Sequence, residues 1–142
     1  MKNNNIEFDK FSEDYETIIE NDLSKFGINM DIGYTSKVFH LKSFFNDDPK
    51  SILDFGCGTG AFIPYLHEQF NRTKLYGCDV SSKSIDVAKE KYHFCEFKVI
   101  KNYNDLHYYK NIDCILINSF LRHIPQNEHE SYINWLFNIF GE

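Results

Sequence analysis

Three glycines and two carboxylates carry the chemistry this sequence could perform. The stretch Leu53-Asp54-Phe55-Gly56-Cys57-Gly58-Thr59-Gly60 closes a short apolar run, and Asp79 ends the next one. A glycine-rich turn between a strand and a helix lets a ligand approach the backbone closely. It also turns helix N-terminal amides toward negative charge. A carboxylate at the end of the following strand can accept hydrogen bonds from both hydroxyls of a ribose. Glycine turn, helix and strand-end acid together imply a site for an adenosine-containing cofactor. Gly56, Gly58 and Ala61 satisfy the dinucleotide pattern G-x-G-x-x-G/A, which is weak evidence alone. Gly60 makes the string G-x-G-x-G, and Asp54 stands two residues before its first glycine. The bland alternative is a tight turn with no ligand.

The surrounding elements must hold these residues together. From Lys50 onward the pattern alternates strand and helix. Residues 51–55 read as a strand and 61–70 as a helix with Phe62, Tyr65, Leu66 and Phe70 inward, Pro64 falling near the first turn. Residues 74–78 form a second strand, and Ser81 or Ser82 caps a helix reaching about Tyr92. A third strand spans 94–100. A fourth spans 112–117, nearly all apolar, as a strand covered on both faces should be. A helix over 128–140 follows. Alternation of this kind predicts an α/β fold, a Rossmann-like three-layer sandwich with a mainly parallel sheet and right-handed crossovers. The loops after Asp54, Asp79, Ile100 and Ile117 should then converge on one site. Ahead of this unit, residues 12–27 and 35–45 carry helical spacing, and Asp47-Asp48-Pro49 marks a boundary. The expected organisation is an N-terminal helical cap, residues 1–48, and a cofactor-binding core, residues 49–142.

Composition narrows the classes. The 142 residues carry 15 basic and 21 acidic side chains, for a net charge of −6. Such a chain is poorly suited to nucleic acid, whose phosphates demand a basic face. No apolar run approaches the roughly 20 residues of a membrane helix, and the first residues lack a signal-peptide core. Cys57, Cys78, Cys95 and Cys114 form no CxxC, and no histidine lies at zinc-ligand spacing. Reduced thiols acting as small hydrophobes in a cytoplasmic protein, with no metal, are the expectation.

The segment from Asp54 to Gly60 resembles motif I of the class I S-adenosylmethionine-dependent methyltransferases. Gly77-Cys78-Asp79-Val80-Ser81 resembles their second motif, and residues 112–125 resemble their fourth strand and the loop after it. Phe11, Tyr15, Tyr34 and Lys37 resemble, more loosely, the capping helices of small-molecule methyltransferases. The resemblance implies S-adenosyl-L-methionine as cofactor, S-adenosyl-L-homocysteine as product, and a small-molecule methyl acceptor. It implies that Gly56, Cys57, Gly58, Thr59 and Gly60 wrap the methionine part and that Asp54 organises the loop and the amino group. Asp79 would hold the ribose and Val80 pack on the adenine. Asn102 and Tyr103 would stand where the family often has an acid near the adenine amine, with Asn102 departing from that pattern. Asn118, Ser119 and Phe120 would lie beside the methionine and sulfonium, although Asn118 could equally cap a turn. His123 is the candidate base, should the acceptor need to lose a proton. An NAD(P)-dependent oxidoreductase and a non-catalytic cofactor-binding or interaction module are the competing readings. The family fold has seven strands, and these residues supply its N-terminal half, strands one to four, which suggests truncation. Strand four would then be an open edge inviting self-association.

Overall fold

The computed structural model describes Lys25, residues 29–118 and residues 125–140. The helix expected over 12–27 lies outside the described residues, as do Phe11 and Tyr15.

Helix α1 covers Met30–Lys42, earlier than the 35–45 the sequence suggested. Asn29 is its N-cap, with the side-chain oxygen accepting from the Asp31 N–H at 2.8 Å, and Asp31 adds negative charge to the first turn. Gly33, a residue that disfavours helix interiors by about 1 kcal/mol, is carried inside. Packing outweighs that propensity: Val38 is fully buried, and Tyr34 packs edge-on against Phe62.

Strands β1 (Ser51–Phe55), β2 (Lys74–Asp79), β3 (Glu96–Val99) and β4 (Cys114–Leu116) form one parallel sheet in the order β3-β2-β1-β4. Helix α2 (Ile63–Gln69) joins β1 to β2, and α3 (Ser82–Lys91) joins β2 to β3. A 3₁₀ helix, Tyr103–Tyr109, lies between β3 and β4, and α4 (His129–Phe140) follows β4. Asn102 and Asp105 start the 3₁₀ segment with a reciprocal capping box.

Period-two alternation along the strands divides the core into two layers. Ile52, Leu75 and Phe97 meet α1, α2 and α3 through Val38, Ile63, Leu66 and Ile85. Leu53, Phe55 and Cys78 face the other way, onto Leu106 and Tyr109 of the 3₁₀ helix and Leu136 of α4. This is the three-layer α/β sandwich that the alternation implied. Strand β4 is shorter than expected, and all three of its residues are half-buried rather than covered on both faces. It pairs with β1 at the margin of the sheet. Just before it, Ser51 Oγ donates to Asp113 Oδ2 at 2.8 Å and accepts from the Asp113 N–H at 3.0 Å, so side-chain bonds stand in for the ladder there.

No helix among the described residues is long and apolar enough to cross a membrane.

Candidate cofactor site

A parallel sheet brings the carboxyl ends of its strands to one edge, and the sequence places its glycines and acids there. At the end of β1 the chain turns through Gly56 (φ 76°), Gly58 (φ 55°) and Gly60 (φ 82°), the left-handed region that other residues enter at a cost of about 1–2 kcal/mol. The turn is fastened to the next strand. Gly56 and Cys57 N–H groups both donate to the Cys78 carbonyl, at 2.8 and 3.0 Å, and Gly60 N–H closes onto the Cys57 carbonyl at 3.0 Å.

Asp79, at the end of β2, faces the same turn. Its Oδ2 accepts from the Gly58 N–H and its Oδ1 from the Ser81 N–H, both at 2.9 Å. Ser81 in turn caps α3, accepting from the Ser84 N–H. The carboxylate is half-buried, and each oxygen of a carboxylate can accept more than one hydrogen bond. Val80 follows it, also half-buried. The Asp79 carbonyl accepts from the Ile100 N–H at 2.8 Å, which ties the end of β3 to the same edge.

Asp54 is 2% exposed and points to the α1–α3 side of the sheet, as Ile52 does. Burial first, and the nearby Asp79 charge second, push its carboxyl from 3.8 up to about 7. A cation arriving beside these two acids would reverse that effect. Cys57 and Thr59 are buried within the turn. Burial pushes the Cys57 and Cys78 thiols up, and that of Cys95 to about 12, so none offers a thiolate at neutral pH. Among the described residues no group of three or more His, Cys, Asp or Glu side chains could hold a metal ion.

A Cβ built on Gly58 meets nothing within 4 Å, so the backbone there faces open space that a ligand could enter. Gly60 and Gly77 differ. A Cβ on Gly60 would stand 3.0 Å from Tyr92 Cδ2; one on Gly77 would stand 2.6 Å from Phe97 Cδ1 and 3.0 Å from Cys57 Sγ.

Other expected residues divide. Asn102 is exposed, and its side-chain oxygen accepts from the Asn104 N–H at 2.9 Å in the 3₁₀ cap. Tyr103 begins that 3₁₀ helix. Asn118, just past β4, accepts at Oδ1 from Lys37 Nζ at 3.0 Å. That contact brings α1 to the loop side of the sheet, and the sequence signalled it only through the loose likeness of Tyr34 and Lys37 to capping helices. Ser119, Phe120 and His123 lie outside the described residues.

A family profile described as "Methyltransferase domain" matches residues 52–140. Among curated relatives, the malonyl-[acyl-carrier protein] O-methyltransferase of Legionella pneumophila is 30% identical over 59% of this chain and 26% of its own length. The demethylmenaquinone methyltransferase of Thermotoga maritima is 28% identical over 78% of this chain and 45% of its own. Among solved structures, the plantazolicin methyltransferase BamL, in complex with a triazolic desmethylPZN analog and SAH, superposes with a TM-score of 0.57. It is 26% identical, over 94% of this chain and 47% of that one. The chain thus spans about a quarter to less than half the length of the curated relatives it matches.

Proposed function

The chain belongs to the methyltransferase-domain family, within the class I S-adenosylmethionine-dependent methyltransferases, and from that premise we propose that it binds S-adenosylmethionine at the Gly56–Gly60 turn for methyl transfer to a small molecule. One observation carries the reading: the Asp79 carboxylate accepts from the N–H of Gly58, the glycine at which a Cβ would meet only open space. When bound, S-adenosylmethionine supplies an electrophilic methyl group on a sulfonium, and S-adenosylhomocysteine remains after transfer. The chain's own residues do the rest. Asp79 receives the ribose hydroxyls, and Val80 packs against the adenine. Asn102 and Tyr103 approach the adenine from the end of β3. Asp54 offers negative charge for the amino group, and Gly56, Cys57, Gly58, Thr59 and Gly60 wrap the methionine portion. Asn118, with Ser119 and Phe120, adjoins the sulfonium side, and Lys37 fixes the Asn118 amide. Residues 1–48 act as a cap over this edge, consistent with α1 reaching Asn118. Displacement at a sulfonium needs positioning and exclusion of water more than proton transfer. His123 serves as base only if the acceptor must be deprotonated.

The relatives' names span a malonyl-[acyl-carrier protein] and a demethylmenaquinone, so they select no acceptor here. Calorimetric titration with S-adenosylhomocysteine, run beside NAD, tests the cofactor. Saturable S-adenosylhomocysteine binding that falls at least about tenfold in Asp79→Ala is expected. NAD binding in its place would make the chain an oxidoreductase module, and binding of neither would reject cofactor capture by this chain.

A further inference from the structure

A second concavity lies beside the glycine turn, where the first turns of α1 approach the start of α2. It is an open cleft of about 150 Å³, and three phenol rings, Tyr34, Tyr65 and Tyr92, line it together with Asp31. Met30 and Pro64 add apolar wall, and among the described residues none that lines it is basic. The Tyr34 and Tyr65 rings stand 5.3 Å apart, tilted by 33°. Tyr65 donates its hydroxyl hydrogen bond to Asp31 Oδ1, which fixes the acid at the rim of the ring cluster. Burial, and then that bond, push the Tyr65 phenol up, so the ring stays neutral.

Phenol rings gathered beside a carboxylate attract positive charge. The volume suits a compact group: liquid water occupies about 30 Å³ per molecule, so the space is worth roughly five waters. We propose that this cavity is a binding site for a small organic cation, an alkylated or protonated amine. Tyr34 already engages one ammonium, for Lys37 Nζ lies 5.9 Å from its ring centroid. Lys37 is not part of the lining, and its amine donates to Asn118. The cavity also borders the glycine turn. Ala61 lines it directly after Gly60, and the Tyr92 ring that lines it packs on Gly60. The site does not depend on the methyl-transfer reading, because no cofactor takes part in holding the cation.

Titration of the whole chain with tetramethylammonium chloride, followed by calorimetry or by shifts of the tyrosine ring resonances, tests it. tert-Butanol serves as the uncharged probe of similar shape and sodium chloride as the ionic-strength control. Tetramethylammonium should bind saturably and tert-butanol should not. Asp31→Asn should weaken the binding about tenfold, Tyr34→Leu should weaken it at least as much, and Tyr65→Phe, which keeps the ring, should stay within about threefold. Tyr34 packs on Phe62, so its variant could lose its fold; Asp31 is exposed, and its variant carries the test by itself. Absence of saturable tetramethylammonium binding, equal binding of tert-butanol, or an unchanged affinity in Asp31→Asn would overturn the inference. A parallel titration with S-adenosylhomocysteine keeps the two readings apart, since either ligand can bind while the other fails.

Discussion

An alanine at Gly58 would place its Cβ in open space, whereas an alanine at Gly77 would drive one into the Phe97 ring and the Cys57 sulfur. Gly58→Ala is therefore expected to lose only about 1–2 kcal/mol, from its positive φ, while putting a methyl group where a cofactor would approach. Gly77→Ala should lose about 1–3 kcal/mol through overpacking. Urea denaturation beside S-adenosylhomocysteine titration separates them: both variants should lose stability, and Gly58→Ala should lose affinity out of proportion to that loss while Gly77→Ala should not. Asp54 makes a different prediction. Its carboxyl titrates near 7 when folded and near 3.8 when unfolded, so the folded state binds the extra proton between those values. Stability should fall as pH rises from about 4 to 7, by up to about 4 kcal/mol for a shift of this size. Asp54→Asn should flatten the slope in that window. Equal slopes for the two proteins would mean that Asp54 is ionised in the folded state. The positive amino group of a bound cofactor would favour the carboxylate, so S-adenosylhomocysteine affinity should rise with pH across neutrality.

Element by element, the strands and helices after Lys50 were legible because their signals agree: an apolar run, a glycine or serine at the boundary, then helical spacing. Asp79 and the three glycines were legible for the same reason, since strand ends in a parallel sheet share an edge. Helix α1 starts at Met30 rather than near Thr35, a start obscured because its first turn carries Gly33, a poor helix former, and little apolar spacing. Asn29 and Asp31, a sound N-cap signal, mark that start. The 3₁₀ helix was missed because seven residues without clear apolar period look like loop. The contact from Lys37 to Asn118 joins residues 81 positions apart, and no local pattern reports such a pairing. The packing of Gly77 under Phe97 was invisible likewise, since it depends on register across two strand pairs. Helix α1 is held to the core chiefly by Val38, which is fully buried. Val38→Ala should therefore lower unfolding free energy by about 1–3 kcal/mol in denaturant titrations. A change below about 0.5 kcal/mol would show that α1 contributes little to the folded unit.

The molecule as a whole has two unlike sheet margins. Strand β3 carries Glu96 and Lys98; Glu96 lies 3.4 Å from Lys74 Nζ and accepts from Tyr108, and Lys98 Nζ sits 3.3 Å above the Tyr108 ring. Charge along an edge discourages pairing with another chain. Strand β4, Cys114-Ile115-Leu116, carries none, and among the described residues its ladder partner is β1 alone. The two margins therefore differ in what they present to a neighbouring chain: the first carries charge, and the second, among the described residues, has no ladder partner on its outer side and is flanked by apolar side chains. We propose that the 142-residue chain self-associates through β4 rather than β3. Light scattering should show mass rising with concentration, and hydrogen exchange should show β4 amides gaining protection over the same range while β3 amides do not. A concentration-independent monomer whose β4 amides are already protected would contradict this, because it would mean that β4 is covered within a single chain.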